Sequence, residues 1–521
     1  MTMTEGVRDR ADVRPAETSV GAGLNGAFPF GELASRAMGV VWLWPVLLTF
    51  VVGCYQVTRP ELWRDELSSW SFASRPVPEL VRIVHHSDAT QLGYYLLLHF
   101  WISAFGDSVL AMRMLSVLDM SGAAACVTLV GRRLAGQRAG LLAGLVFALV
   151  PSVSRFAQEV RFYALEVLIA MLATLLLLRA LEEPRPRRWA AYAASMAVLG
   201  YADLVALCLI AGHGAEVAMR WWRSRDVRQL RFVPAVAVAC AACLPVALVG
   251  LGQAGRQLEW LARPGLSLSA FSFFGRDLFY STSAAAALII VGVLAWAVAW
   301  RAAAFATAIA VLPVAVVWLA SQGQYSYFFP RYLLLTVGAW ALLAGIALSR
   351  LDLRVTAAAV LVFGILGAGD QQAIRTLGAH NWAGYPANPN TRYWDYERAA
   401  QVIASHARPG DGVVYPGNPY RWEMIDYGVR YYLSRDLPAG RQPREVFAAR
   451  TAAAAGTLYP VLCAHPASCL GHTTRMWVVG SGHLKNPFKE IPADEAAALR
   501  PYFHLTLATR LPGMTVFLLV R

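Results

Sequence analysis

The sequence predicts an all-α polytopic membrane domain of about 11 transmembrane helices, followed by a small C-terminal α/β domain on the extracytoplasmic side. Three observations predict it. Of 521 residues, 57% are hydrophobic and only 15% are charged, too few charges to cover a soluble protein of this size. The apolar residues run in long unbroken blocks, without the periodic stripes of a water-facing fold. Residues 370–521 then change to short alternating runs of strand character.

Taken in order, residues 1–37 are polar, with Arg, Pro and Gly scattered through them, and read as a disordered cytoplasmic tail. The first apolar run starts too late for an ordinary signal peptide, so Gly39 to Val57 reads as a retained anchor. A span needs roughly 20 mainly apolar residues, because the hydrocarbon core is ~30 Å thick and a helix rises ~1.5 Å per residue. Many blocks within residues 38–369 qualify. After a polar loop over 58–90, apolar segments occupy 91–105, 109–130, 139–150, 163–181, 189–200, 201–219 and 232–251. A second loop, 253–280, precedes spans at 284–300, 302–320, 332–348 and 355–368. With the 58–90 loop outside and Arg132 inside, the chain between them crosses an odd number of times. One of the two apolar segments there is then re-entrant or interfacial.

The net charge of +13 raises the question of nucleic acid. The Arg residues answer it, because they cluster in short breaks between spans: 131–133, 185–188 and 220–231. That is the positive-inside bias of a lipid bilayer protein, and no basic patch alternates with aromatics on a soluble domain. Lys485 and Lys489 are the only lysines.

Cys54, Cys126, Cys208, Cys240 and Cys243 fall in apolar spans as small packing residues. Cys463 and Cys469 lie six positions apart in the C-terminal domain. A disulfide is the preferred reading for an extracytoplasmic domain, ahead of a metal site with His465 and His472 close by. In that domain 412–415, 476–479 and 515–519 read as strands and 393–408 as an amphipathic helix.

The candidate chemistry sits at the outer ends of the spans. Leu62-Trp63-Arg64-Asp65-Glu66-Leu67 sets two carboxylates just beyond the first span. They are either a solvated loop edge or a general base held beside a reacting hydroxyl. Asp88 closes the same loop after His85-His86-Ser87. Arg155 and Arg161, in the run from Pro151 to Tyr163, and Arg331, in Tyr327-Phe328-Phe329-Pro330-Arg331-Tyr332, fall on the same face. They either snorkel to the interface or clamp a lipid phosphate through paired hydrogen bonds. Asp119, Glu166, Asp203, His213 and Glu216 lie inside apolar stretches. Asp203 is expected at a helix hairpin facing outward, and Glu166 as partner to a buried Arg.

The Arg64-Asp65-Glu66 element, Asp88 to Tyr95 with the following Leu96 to Trp101, Phe105-Gly106-Asp107-Ser108 and Arg113 resemble the N-terminal half of GT-C fold membrane glycosyltransferases. More narrowly, they are similar to the branch of protein O-mannosyltransferases and the bacterial transferases that add aminoarabinose to lipid A. Arg161 to Leu165 and Arg331 to Leu334 also match, so the resemblance spans roughly residues 40–350. Thr90-Gln91-Leu92 departs from it, standing where the family often has His-Pro-Pro. The resemblance implies an inverting transfer of a sugar, mannose first, from a polyprenyl-phosphate donor to a glycan, protein or lipid acceptor. It implies Asp65 as base, with Glu66 orienting an Arg or a substrate hydroxyl. Arg161, Arg331, Tyr163 and Arg155 are implied at the donor phosphate, and Asp88 and His86 near sugar or acceptor. A divalent metal at Asp88 is a possible cofactor, although no His/Cys spacing demands one. The rival readings are a polyprenyl-lipid transporter or flippase, an oligosaccharide ligase and a noncatalytic scaffold. No internal repeat of the transporter kind is visible.

Overall fold

The computed structural model describes residues 42–380, 393–418 and 420–521. The expected tail and the first residues of the expected anchor lie outside the described residues. The chain opens with α1 (Leu43–Cys54), α2 (Arg64–Ala73), α3 (Val77–Val84) and α4 (Leu92–Phe105). Then come α5 (Val109–Ala135), α6 (Gln137–Leu149), α7 (Pro151–Ala157), α8 (Tyr163–Glu182), α9 (Pro186–Ala202) and α10 (Leu209–Ser224). The helical part continues through α11 (Phe232–Gln257), α12 (Leu268–Phe279), α13 (Thr282–Ala320), α14 (Val337–Leu348) and α15 (Leu353–Ala373).

This is a multi-pass membrane protein. Among the described residues six stretches are long and apolar enough to cross a bilayer: α5, α8, α13 and α15, and α11 and α14 each with the short turn before it. The pair α6–α7, bent by 65°, makes a seventh if it is one span. The bend falls where Pro151 starts α7, since proline cannot continue the preceding ladder of hydrogen bonds. The expected count of about 11 is not reached on length and composition, and the reasons are local. α1, α4, α9 and α10 have 12, 14, 17 and 16 residues, short of a full crossing. α13 has 39, about 58 Å of helix against a ~30 Å hydrocarbon core. It leaves helical geometry at Ala299 (φ −152°, ψ 76°), so its two arms correspond to the blocks 284–300 and 302–320.

α5, α8 and α14 form the middle of the bundle, while α11 and α15 turn large apolar side chains such as Leu248, Leu251, Leu361 and Ile365 outward. In lipid that outward face carries no penalty. Small residues let the central helices touch: a Cβ on Gly140 would strike the Thr128 carbonyl, the close approach typical of membrane helices.

The C-terminal part contains α16 (Tyr396–His406), α17 (Ile425–Asp436) and α18 (Ala493–Leu499). The strands of its five-stranded sheet are β1 (Gly412–Val414), β2 (Arg444–Glu445), β3 (Arg475–Ser481), β4 (His504–Leu511) and β5 (Met514–Val520), in order β2-β1-β3-β5-β4. β1 is parallel to both neighbours and the remaining pairs are antiparallel. The expected strands coincide with β1, β3 and β5, and the expected amphipathic helix with α16. Alternation along the strands divides the sheet. Met476, Val478, Phe517 and Leu519 pack on one face with Phe447, Leu499 and Phe503. Trp477, Val479, Val516 and Leu518 face the other way and join the core shared with the membrane helices.

That shared core is reinforced by polar contacts onto α2. Arg75, near the end of α2, donates to the Thr457 carbonyl at 3.0 Å and the Tyr427 hydroxyl at 3.4 Å. Arg435 on α17 pairs with Asp107 at 2.9 Å, and Trp70 of α2 meets Tyr431 edge to face at 5.1 Å. The C-terminal part therefore holds the helix that carries Asp65.

Candidate active site

α2 begins where Trp63 is extended and the Glu66 carboxylate accepts the Trp63 N–H at 3.2 Å. Acidic residues in a first turn are favoured by the partial positive charge of the helix start. Glu66 also binds Arg113 through two hydrogen bonds, 2.9 and 2.8 Å, and accepts the Val160 N–H at 3.0 Å. Both side chains of this pair are fully buried. Expected among the catalytic residues, Glu66 instead points into the protein with its oxygens occupied. It does orient an Arg, and through Val160 it fixes the chain that carries Arg161 relative to Asp65.

Asp65, one residue away, faces a cavity of about 770 Å³. Its carboxylate is 3.1 Å from Arg331 and 3.5 Å from Arg64. Burial works to raise its pKa, but Arg331, Arg64 and Arg161 together outweigh burial and hold the carboxyl below its ordinary 3.8. Arg331 opens a turn of 3₁₀ helix at Pro330–Thr336. The rings of Trp63, Tyr163, Phe329 and Tyr332 lie 5.1 to 5.7 Å from its guanidinium carbon, an arrangement that favours a cation. Arg161 sits in the irregular break between α7 and α8 and donates to Ser69 Oγ and the Tyr95 hydroxyl, both at 3.3 Å.

Asp88 lines the same cavity. It adopts a left-handed backbone (φ 59°), a conformation that Asp tolerates better than most residues. The Tyr95 hydroxyl and the Gln257 amide donate to it at 3.0 and 3.1 Å. Gln253, one turn earlier on α11, ties the loop down by accepting the Ala89 N–H at 3.0 Å and donating to the Val84 carbonyl at 2.9 Å. Burial raises the Asp88 pKa above 3.8, only partly offset by Arg161 and the Tyr95 hydroxyl. Thr90 and Gln91 form the adjoining rim.

Four further expected residues lie outside the cavity lining. Arg155, expected at the phosphate, is 3% exposed and paired with Glu159 at 2.6 Å, in turn bound by the Trp63 indole at 3.0 Å. It does not line the cavity. Tyr163 lies under Arg331 as a supporting ring and its hydroxyl has no hydrogen-bond partner. It does not line the cavity either. His86 is exposed and outside the cavity, because the turn at 85–87 faces outward before Asp88 turns back. Among the described residues Glu166 has no Arg partner, and neither of its carboxyl oxygens is hydrogen-bonded.

The rest of the cavity divides by chemistry. Leu204, Val205, Leu207, Leu251, Val316 and Val317 make an apolar wall, and Trp422, Met424, Leu458 and Tyr459 of the C-terminal part roof the polar end. Arg64 lies 4.9 Å from the Trp422 ring. The roof and the two Gln residues were missed from sequence, although Gln253 and Gln257 are spaced to share one face at the end of an apolar helix. Among the described residues no group of three or more His, Cys, Asp or Glu side chains can hold a metal ion. Asp65 is engaged by guanidiniums and Asp88 by hydroxyl and amide donors, so these residues do not fit one. Cys463 and Cys469 are joined by a disulfide.

Comparison with known proteins bears on the family. Residues 90–248 match the family model described as dolichyl-phosphate-mannose-protein mannosyltransferase. No curated protein sequence matches the chain. Among solved structures, apo ArnT from Cupriavidus metallidurans is similar with a TM-score of 0.57 at 16% identity, over 93% of this chain and 98% of that one. The same protein bound to undecaprenyl phosphate gives 0.54 at 15%, over 95% and 98%. At these identities the likeness speaks for the fold, and the family match speaks for the chemistry of its segment. With both in hand, the chain has the GT-C fold of ArnT, and its residues 90–248 are similar to the mannosyltransferase family model.

Proposed function

We propose that this chain is an inverting glycosyltransferase that moves a sugar, mannose first among the candidates, from a polyprenyl-phosphate donor to a cell-envelope acceptor. One observation carries the reading: Asp65, Arg161 and Arg331 line the polar end of a cavity that also has an apolar wall of Leu204, Val205, Leu207, Leu251, Val316 and Val317. A donor with an anionic head and an isoprenoid tail divides in the same way. The match of residues 90–248 to the mannosyltransferase family favours mannose, and the undecaprenyl phosphate bound to ArnT favours this class of carrier.

In this reading the acceptor hydroxyl oxygen attacks the anomeric carbon, its proton passes to Asp65, and the bond from that carbon to the phosphate oxygen breaks. The polyprenyl phosphate leaves as an anion held by Arg161 and Arg331, a field already in place before charge develops. Arg331 binds Asp65 at rest. A donor phosphate competes for that guanidinium, and Asp65 gains basicity as it is released. Asp65 thus becomes a base when the donor is present.

We assign the site, the 58–90 loop and the domain 370–521 to the extracytoplasmic face. The disulfide belongs to an oxidising compartment. Arg132 and Arg133 lie in the last turn of α5, at the opposite end from Arg113 and the site, as the positive-inside bias requires.

The test is transfer from labelled polyprenyl-phosphate mannose by purified protein in nanodiscs. Asp65→Asn is expected to lower the rate ~10²- to 10⁴-fold with membrane insertion unchanged. Retained transfer removes the base. Labelled lipid crossing proteoliposomes without a new glycosidic bond replaces the enzyme with a transporter. Deleting the gene and comparing envelope glycans identifies the acceptor.

A further inference from the structure

A carboxyl group in the same cavity remains unused by this mechanism. Asp203 ends α9, where its Oδ1 accepts the Val205 N–H at 3.0 Å. Among the described residues its Oδ2 has no hydrogen-bond partner, although Asp203 is only 6% exposed and lines the cavity. Behind it on α8 stands Glu166, fully buried with neither oxygen bonded, and near enough for the two charges to act on each other. Buried carboxyl oxygens without donors are strongly disfavoured, so an orphan at a cavity wall points to a donor that arrives with a ligand.

Asp203 is held in place. A Cβ on Gly93 of α4 would lie 2.8 Å from the Tyr201 carbonyl oxygen, so the end of α9 is pressed against the start of α4. Gly250 of α11 lies similarly tight against Thr90. These contacts set Asp203 beside the rim formed by Asp88, Thr90 and Gln91. The charge of Arg161 also reaches it, so Asp203 neighbours one of the guanidiniums assigned to the phosphate. The sugar is the part of the donor next to the phosphate. A metal ion is a poor alternative occupant, since no third ligand completes a set among the described residues.

We propose that Asp203 reads the donor's sugar: its unbonded carboxylate oxygen accepts a hydroxyl of the glycosyl ring. The proposal rests on the polyprenyl-phosphate-sugar reading of the cavity. It extends that reading by separating a phosphate-holding wall, Arg161 and Arg331, from a sugar-selecting wall centred on Asp203.

The test compares two ligands of the full-length protein in nanodiscs, by competition against a fluorescent undecaprenyl phosphate. One is bare undecaprenyl phosphate; the other is the mannosyl or arabinosyl polyprenyl phosphate, whichever the unsubstituted protein binds more tightly. Asp203→Asn keeps the oxygen that accepts from Val205 and replaces the other with an amide nitrogen that cannot accept a hydroxyl. Affinity for the sugar-bearing lipid is expected to fall about tenfold, with bare lipid within about twofold. The donor KM should rise by the same factor with kcat little changed. Equal weakening for both lipids overturns the proposal, because Asp203 then acts through Arg161 or the fold. No change for either overturns it as well. Equal binding of both lipids by the unsubstituted protein removes the sugar subsite and leaves the transferase reading standing, whereas binding of neither removes that reading itself. Asp65→Asn is the control: it should lose transfer and still distinguish the two lipids.

Discussion

Asp65 and Glu66 are adjacent in the first turn of α2, yet they belong to two different regions. Glu66 belongs to a closed interior network with Arg113, flanked by the Arg155–Glu159 pair, in which the carboxylates and guanidiniums are matched at 2.6 to 2.9 Å. Asp65 belongs to an open cluster in which three guanidiniums surround one carboxylate at the head of a cavity. The residue types are the same, and the difference lies in the charge count and in access. A matched buried network has nothing left to offer a ligand, whereas three guanidiniums around the single carboxylate of Asp65 leave positive charge for an anion at that end of the cavity. The closed network serves the open one as its frame, since Glu66 positions both Arg113 and the Val160 backbone.

The contrast can be broken by exchanging the two carboxylates for amides. Asp65→Asn removes activity and costs less stability than the change at Glu66, because Asp65 lies at the cavity. Glu66→Gln should do the reverse, lowering unfolding free energy by about 3–5 kcal/mol because Arg113 is left buried without its countercharge. Thermal unfolding in detergent separates the two, and equal melting temperatures would dissolve the distinction. Next in size, Arg331→Lys keeps the charge but loses the fork, and should lower transfer ~10²-fold. Arg155→Lys should lower the melting temperature and leave the donor KM unchanged, a direct check that Arg155 holds no phosphate.

The pH dependence sharpens the comparison further. Asp65 is held below 3.8 and stays ionised on mild acidification, while Asp88 is raised above 3.8 and protonates first. Transfer should therefore fall with decreasing pH through the titration of Asp88 while Asp65 is still charged. Asp88→Asn should give a lower, flatter acid limb in the pH–rate profile. For folding the signs are opposite. The Asp65 contribution is present above its unfolded value and lost as pH falls through its depressed folded value. The Asp88 shift disfavours the folded state at neutral pH and is relieved on acidification. The smallest effect concerns the clasp on α2: Arg75→Ala should lower kcat a few-fold, about 1 kcal/mol, with donor affinity unchanged.

Much of this was legible in the sequence. Long apolar blocks fixed the helical class, alternation marked β1, β3 and β5, and Asp65, Asp88, Arg161 and Arg331 stood out as charged groups at span ends. What failed did so because spacing loses meaning where a helix breaks. Arg155 and Arg161 are six residues apart, but α7 ends at Ala157 and the irregular chain beyond it aims Arg161 at the cavity and leaves Arg155 inside. His86 and Asp88 diverge through a single left-handed residue. The roof was illegible for another reason: contacts such as Arg75 to Thr457 join positions 382 apart in the chain, and no local pattern announces them. The span count of about 11 is not reached by length and composition among the described residues, because several of the apolar blocks form helices of 12 to 17 residues.

The aromatic enclosure of Arg331 carries one last implication. A guanidinium walled by Trp63, Tyr163, Phe329 and Tyr332, with 11% of its side chain accessible, is poorly screened by dissolved ions. Its hold on a carrier headgroup should barely respond to ionic strength, in contrast to basic patches on open surfaces that release their anions in brine. On the proposed reading, transfer should hold steady as salt is raised.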